Sequence, residues 1–143
     1  MPDPINGRNV QRNSPMQVAA SALTAQQSRM RIIAENIANA DSTARTAGGE
    51  PYRRQVPVFE ARRINGAMGV SLAEVRPDQR EFRREYDPSH PAADAEGYVL
   101  RPNVDTLIES MDMREAQRAY EANLNVIETA RSMMSRTLDI LKR

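Results

Sequence analysis

Two stretches of this chain, residues 16–47 and residues 104–143, contain neither glycine nor proline, and both repeat apolar residues in steps of three and four. This spacing places the apolar side chains on one face of a helix, close to the heptad of a coiled coil. Ser14 and Pro15 favour a helix start, because proline is tolerated at the first helical position. We therefore predict one helix over residues 15–39 and a second helix that reaches the end of the chain.

The apolar residues of these stretches form three rows. The N-terminal seam, with one polar member, consists of Met16, Ala19, Leu23, Gln26, Met30, Ile33, Ile37 and Ala40. The C-terminal seam consists of Met113, Ala116, Tyr120, Asn123, Ile127, Ala130, Met134, Thr137 and Leu141. The outer row lies one position earlier and recurs every seven residues, at Ala119, Val126, Met133 and Ile140.

The second helix carries more apolar surface than one partner helix covers. Its two rows together form an arc wider than the stripe of a two-stranded coiled coil. At 1.5 Å per residue the two predicted helices span roughly 36 Å and 60 Å, so we also expect the second helix to overhang the first. Isolated helices are marginal in water and need their apolar faces covered. We therefore expect something outside this chain to cover the remainder.

Residues 41–102 have a different composition, with five of the six glycines and six of the nine prolines. The segments YRRQVPVFEARR and MGVSLAEVR predict strands, and REFRREYDPSHP predicts another strand that runs into a turn. Pro57 inside the first of them predicts a sheet edge or a bulge, because proline donates no backbone hydrogen bond. The fold class is α+β, mainly α, with a small β-rich insert between two long helices that form a coiled-coil domain. The predicted divisions are a flexible N-terminal tail and three further segments: 1–14, 15–40, 41–102 and 103–143.

No group of residues in the sequence predicts catalysis, a metal or a cofactor. The chain has no cysteine, which excludes disulfides and thiolate chemistry. The single histidine, His90, lies in a predicted turn and is expected to be a surface hydrogen-bonding residue rather than a base. Gly48 and Gly49 lack the lysine of a phosphate loop. A net charge of +1, with arginines and acids alternating, argues against nucleic acid as a partner. Nothing in the sequence resembles a signal peptide or a transmembrane run, so we expect no direct membrane insertion.

The end of the first predicted helix carries a polar pattern that points to a family. SALTAQQSRMRIIAENIANADST, residues 21–43, resembles the N-terminal signature of the bacterial flagellar axial proteins, the rod, hook and filament-junction subunits. In that signature Ala-Asn-x-x-Asn-x-x-Thr closes the helix, and Asn36 and Asn39 match its two Asn positions, with an acidic residue inserted before the first. YDPSHPAADAEGYVLRPNVD (86–105) and AYEANLNVIETARSMMSRTLDIL (119–141) resemble passages of the family's proximal-rod subunits. The first fourteen residues depart from the family's usual start, being longer and more polar.

The resemblance implies a structural subunit without catalysis or a cofactor. In this family the terminal helices form an inner coiled-coil domain that lines a hollow rod, and the insert forms an outer domain. The implied location is the periplasm-spanning rod of the flagellar basal body, reached from the cytoplasm without a cleavable signal peptide. The implied partners are other rod subunits, the inner-membrane ring with its export-gate adaptor, and the flagellar type III export apparatus, in a helical hetero-oligomer. The residues expected at the subunit interface are Leu23, Met30, Ile33, Asn36, Ile37, Asn39, Met113, Ala116, Tyr120, Asn123, Ile127, Ala130, Met134 and Leu141.

The asparagines in these helices carry a more specific expectation. Asn36 and Asn39 share a face and are expected to bond free carbonyls at the helix end or the neighbouring helix. Asn39 also tolerates the left-handed conformation that stops a helix without glycine. Asn123 is polar at a core-type position, where an amide needs a partner. We therefore predict that Asn123 pairs with Asn36 or Asn39.

Three alternatives remain open on the sequence alone. The first is another flagellar axial subunit of the rod or hook, against which the passage DPSHPAADAEGYV argues. The second is a helical cytoplasmic adaptor or chaperone, which accounts for the helices but not for the β-rich insert. The third is an enzyme, which needs a reacting group that the sequence does not offer.

Overall fold

The structure, a computed structural model, describes residues 5–142. Its elements are α1 (Ile5–Ala38), β1 (Gln55–Ile64), β2 (Ala67–Pro77), β3 (Arg83–Tyr86), β4 (Tyr98–Arg101) and α2 (Thr106–Leu141). Two long helices therefore flank a small β insert, which confirms this part of the predicted fold class. The division into four segments stays a prediction, and the part of the predicted tail that precedes Ile5 lies outside the described residues.

Helix α1 begins earlier than the sequence predicts, at Ile5, so the predicted start at Pro15 is wrong. Pro15 lies inside the helix, where a proline removes one backbone hydrogen bond and kinks a helix without always ending it. With 34 residues in α1 and 36 in α2, the helices span about 51 Å and 54 Å. The predicted mismatch in length is therefore also wrong, because it followed from the misplaced start.

Helix α1 ends in tight turns at Ala38 rather than at a left-handed residue. The backbone N–H of Ala40 donates to Ile37 O at 3.2 Å, and that of Ser42 donates to Asn39 O at 3.1 Å. Such i→i+3 bonds satisfy carbonyls that a helix end leaves free. The left-handed conformation expected of Asn39 is wrong, because among the described residues the non-glycine residue with positive φ is Asn65.

Strands β1 and β2 form a long antiparallel hairpin that confirms the first two predicted strands. Its two-residue turn is Asn65-Gly66, with φ of 47° and 85°, the left-handed pair that a tight hairpin requires. The register shifts between Val58 and Phe59, next to Pro57. This bulge, in a sheet of only two strands, confirms that Pro57 marks an edge and an irregularity.

Strands β3 and β4 form a second antiparallel pair. Strand β3 confirms the strand predicted within REFRREYDPSHP, and the turn after it contains His90. The Nδ1 atom of His90 accepts a hydrogen bond from the backbone N–H of Ala92 at 3.0 Å. His90 is therefore a hydrogen-bonding residue of the turn, as predicted.

Helix α1 contacts both the hairpin and α2. At the hairpin, the backbone N–H of Val70 donates to Ser21 Oγ at 3.2 Å, and Gly69 allows the strand to approach the helix there. The helices run antiparallel, because Asn36 and Glu109 both lie near the start of β1 while Arg29 meets Glu115 farther along, at 3.5 Å. The buried apolar residues are mostly small, and they are Ala19, Ala25, Ile32, Ile33, Ala40, Ala92, Val99, Val104 and Ala116.

Candidate functional site

Helix α2 exposes a row of large apolar side chains. In the outer row Val126 is 49% exposed, Met133 62% and Ile140 74%. On an α-helix, residues seven apart lie on one face, so these side chains form a stripe. Further large apolar side chains of α2 are exposed as well, and they are Leu107, Ile108, Met111, Leu124, Met134, Leu138 and Leu141. The apolar surface available for a partner therefore comprises the first turns of α2, its outer row and its C-terminal turns.

The residues expected at the subunit interface fall into three groups within the single chain. The buried ones are Ile33, Asn36 and Ala116. The half-buried ones are Leu23, Met30, Ile37, Asn39, Met113, Tyr120, Asn123, Ile127 and Ala130. The exposed ones are Met134 and Leu141. Their role between subunits stays a prediction, but the first group already packs inside one chain.

Asn36 fastens the start of the hairpin to α1. Its Nδ2 donates to Gln55 O and its Oδ1 accepts from Gln55 N–H, both at 2.9 Å. The Tyr52 hydroxyl also donates to Asn36 Oδ1, at 2.7 Å. The amide thus pairs with the backbone as a neighbouring strand does, and at 1% exposure both its oxygen and its nitrogen have a hydrogen-bond partner.

The predicted pairing of Asn123 with Asn36 or Asn39 is wrong. Asn123 Nδ2 donates to Ala119 O in its own helix at 2.9 Å, and Asn39 Nδ2 donates to Glu35 O at 2.8 Å. Short polar side chains often bond the backbone four residues earlier. Asn39 thus bonds a carbonyl near the helix end, as expected, but this carbonyl is not a free one, because it also accepts from the Asn39 backbone N–H at 3.1 Å. The partner of Asn36 is the hairpin and not a helix.

A buried ionic cluster joins the ends of the hairpin to the first turns of α2. Arg54, just before β1, hydrogen-bonds through Nε to Glu109 Oε1 and through Nη1 to Asp78 Oδ2 at 3.2 Å. Its Nη2 lies 3.9 Å from Asp112 Oδ2. The Glu109 side chain is 1% exposed and that of Arg54 18%. A buried carboxylate needs such a partner, because an uncompensated charge away from water costs several kcal/mol.

Asn103 completes this joint from the segment before α2. Its Oδ1 accepts from the backbone N–H of Arg54 at 2.7 Å, and its Nδ2 donates to the carbonyls of Asp78 and Arg80, both at 3.0 Å. Asp105 then caps α2, with Oδ1 accepting from the backbone N–H of Leu107 at 3.0 Å. Two buried asparagines therefore bind the base of the hairpin, Asn36 from α1 before it in the sequence and Asn103 from the segment after it.

The ionisable groups of the joint are shifted in the directions that these contacts dictate. Hydrogen bonds from Arg80 and then Arg54 lower the pKa of Asp78 to about 2, against the opposing effect of burial. Burial, followed by the charges of Glu35 and Glu109, raises the pKa of Tyr52. Burial alone would lower the pKa of Arg54, but the hydrogen bond and charge of Glu109 raise it. The shifts of Asp78 and Arg54 favour the charged forms that make the ion pairs, and the shift of Tyr52 favours the protonated form that donates a hydrogen bond.

Sequence reasoning missed this joint, although one signal for it was present. Glu109 lies seven residues before Ala116 and therefore occupies a core position of the C-terminal seam. A carboxylate at such a position needs a buried cation. The spacing did not indicate which of the arginines supplies it, since Arg54 is remote in sequence.

The described part of the chain offers no arrangement for metal binding or for crossing a membrane. Among residues 5–142, no group of three or more His, Cys, Asp or Glu side chains is placed to hold a metal ion. Within the same residues, neither helix combines the length and apolar character of a membrane span.

Comparison with known proteins relates both ends of the chain to flagellar rod proteins. Residues 16–45 match the family model described as "Flagella basal body rod protein", and residues 95–140 match "Flagellar basal body rod FlgEFG protein C-terminal". The chain is 47% identical over 127 residues to the flagellar basal-body rod protein FlgC of Agrobacterium fabrum, covering 87% of this chain and 91% of that protein. It is 43% identical over 125 residues to the FlgC of Escherichia coli O6:H1, with 86% and 92% covered. It is 38% identical over 144 residues to that of Bacillus subtilis, with 89% and 96% covered.

Proposed function

Because the chain belongs to the family of flagellar basal-body rod proteins named FlgC, we propose that it is a structural subunit of the basal-body rod, in its proximal part. Its role is mechanical and not catalytic. Its neighbours are other rod subunits, the inner-membrane ring and its export-gate adaptor, and it reaches them through the flagellar type III export apparatus. These partners follow from the family resemblance of the two helices and of the passage before α2.

The two helices are proposed to form the inner, coiled-coil layer of the rod, with the β insert outside it. The antiparallel contact between α1 and α2 supports this arrangement. So does the packing of the hairpin on α1, since no element of the described residues then covers the outer row of α2. The layer is then completed by helices of neighbouring subunits in a helical hetero-oligomer.

The observation that carries the proposal is the exposure of the outer row. A soluble monomer seldom exposes a long stripe of large apolar side chains without a partner. Complete burial of such a side chain contributes about 1.5–3 kcal/mol, and Val126, Met133 and Ile140 gain the share that corresponds to the surface they still expose, about 1–2 kcal/mol each. Covering this row with helices of adjacent subunits therefore favours assembly, without any change in the fold of the chain.

The test places an acid in the outer row. Val126→Asp and Met133→Asp leave the isolated chain folded, because both side chains are exposed in it, but they bury an unpaired carboxylate in the rod at a cost of several kcal/mol. Cells carrying either variant as their only copy are expected to lose motility and to retain little of the subunit in purified basal bodies. Ile127→Asp or Ala130→Asp is less informative, because these half-buried residues test folding and assembly together.

Ser135→Asp is the matched control, since it adds the same charge to an exposed position of α2 outside the apolar rows. It is expected to leave motility and the retained subunit unchanged. Circular dichroism of the purified variants checks that their helix content equals that of the unmodified chain. Motile cells with normal amounts of the Val126→Asp or Met133→Asp subunit in their basal bodies contradict the proposal.

A further inference from the structure

An open groove of about 480 Å³ lies between the β3–β4 sheet and the loop that follows α1. We call it the arginine groove. It is lined by Asp41, Arg83, Arg84, Glu85 and Arg101. The proposed function does not account for it, because it lies on the insert and not on the apolar rows of the helices.

The sheet register places two arginines of the groove directly opposite each other. Arg83 of β3 pairs with Arg101 of β4 in the antiparallel ladder. Like charges at directly opposed positions destabilise a sheet, and an opposite charge at either position stabilises it. The isolated chain therefore carries an unfavourable pair where a carboxylate from elsewhere is stabilising.

The three arginines differ in how well the chain itself compensates them. Arg101 donates through Nε to Glu85 Oε2 at 2.8 Å. Arg84 lies 3.7 Å from a Glu96 carboxylate oxygen and stacks over a tyrosine ring. Within residues 5–142, the Arg83 side chain makes one long hydrogen bond, from Nε to Pro102 O at 3.4 Å. No carboxylate oxygen of these residues lies within 4.0 Å of the Arg83 guanidinium. Arg83 is therefore the arginine of the groove that has no carboxylate partner among the described residues, whereas Arg84 and Arg101 each have one.

The charges of the groove select the kind of anion. Three arginines and two acids leave it with a net charge of +1, so a nucleic acid backbone meets Asp41 and Glu85 as well as the arginines. A single carboxylate needs only the free edge of one guanidinium, which it matches through two parallel hydrogen bonds. Since the proposed rod contains neighbours of different sequence, we take one of these as the source of the carboxylate, and the experiment below distinguishes it from a second copy of this chain.

We propose that the arginine groove receives an Asp or Glu side chain from a neighbouring protein of different sequence, with Arg83 as the residue that binds the carboxylate. This proposal rests on the proposed function, since the neighbour is another component of the rod. The acidic side chain relieves the repulsion between Arg83 and Arg101, and it fixes how the insert is oriented against that neighbour. Its loss weakens the contact at the insert and leaves the helical contacts of the outer row in place.

The test uses the scarcity of amines in the chain, whose one lysine is Lys142. Arg83→Lys keeps the positive charge and introduces an amine into the groove. Treating purified basal bodies with a carbodiimide joins that amine to a carboxylate in contact with it, with loss of water, and forms an amide between the two chains. Arg62→Lys, at an exposed position of β1, is the matched control.

We expect Arg83→Lys to give an adduct of higher mass that the control does not give, and mass spectrometry to identify the joined residue as Asp or Glu of another rod component. Arg83→Glu is expected to lower the retained subunit at least about tenfold relative to Arg62→Glu, because it sets like charges together in the contact. Equal adducts in both lysine variants, or an adduct to a second copy of this chain, overturn the proposal. Absence of the unmodified subunit from basal bodies refutes the proposed function instead, so the two failures are distinguishable.

Discussion

The joint around Arg54 is expected to dominate the stability of the isolated chain. Arg54→Met removes the cation that hydrogen-bonds to Glu109, whose side chain is 1% exposed. Breaking a buried ion pair by removing one partner costs about 3–5 kcal/mol, since the other charge stays buried. We expect a loss of about 3–4 kcal/mol in the free energy of unfolding, a large share of the 5–15 kcal/mol that is typical of a domain.

Most of this loss is assigned to Glu109 and not to the other acids of the joint. Asp78 keeps an ion pair with Arg80 at 2.8 Å, and the Asp112 side chain, 33% exposed, remains accessible to water. Glu109 has no such alternative, because its Oε2 atom already lacks a hydrogen-bond partner among the described residues. Arg54→Met combined with Glu109→Leu removes the orphaned charge, so the double variant is expected to lie within about 1 kcal/mol of the unmodified chain.

Urea denaturation followed by far-ultraviolet circular dichroism measures both effects, provided that the slope with denaturant is unchanged. Arg76→Met is the matched control: it breaks an ion pair with Glu74 between two exposed side chains, and it is expected to cost less than about 1 kcal/mol. The reasoning is refuted if Arg54→Met costs no more than this control. It is equally refuted if the double variant loses as much stability as Arg54→Met and Glu109→Leu, measured singly, lose together.

Two further predictions concern the same joint. Asn36→Ala is expected to cost about 2–3 kcal/mol in the free energy of unfolding because it removes three hydrogen bonds to the base of the hairpin, whereas Asn123→Ala is expected to cost less than about 1 kcal/mol. Urea denaturation of the two single variants and of the double variant checks this. A double variant whose loss differs clearly from the sum of the two single losses contradicts the finding that the two asparagines have separate partners. The pKa of Asp78 is lowered from 3.8 to about 2 in the folded chain, so its carboxylate contributes roughly 1–2 kcal/mol of stability above about pH 4, which is lost as the pH falls towards 2. Stability measured between pH 5 and about pH 2.5 should fall less steeply in Asp78→Asn, and equal slopes would show that the carboxylate is not responsible.

The helices and strands were predictable because their signals are local. Apolar spacing identified both helices, and glycine, proline and β-branched residues delimited β1, β2 and β3. Strand β4 was not predicted, since four residues, Tyr98–Arg101, are too few to show a period. The start of α1 was misplaced because proline is a frequent helix start but also occurs within helices.

The contacts of the joint were not predictable, because they depend on residues that are far apart in sequence. Arg54 and Glu109 are 55 positions apart, and nothing local distinguishes Arg54 from the arginine beside it. The error over Asn36 has the same origin. The core-type position of Asn123 indicated that its amide needed a partner, and Asn36 was a candidate by helix pairing, but the fold pairs Asn36 with the backbone of Gln55 instead.

The two rows of α2 differ in how far the rest of the chain covers them. The row that starts at Glu109 and continues every seven residues through Ala116 and Asn123 is small or polar. Glu109 meets the rest of the chain through its ion pair with Arg54, Ala116 is fully buried, and Asn123 bonds within its own helix. The large apolar side chains Val126 and Met133 lie on the other flank and contribute little to the isolated fold, since they remain exposed in it. A neighbour that covers this flank binds the folded chain and not the unfolded one, so it raises the chain's stability by mass action. The isolated chain therefore owes its fold to a buried apolar core and to the polar joint, and any neighbour that covers the outer row adds further hydrophobic stabilisation.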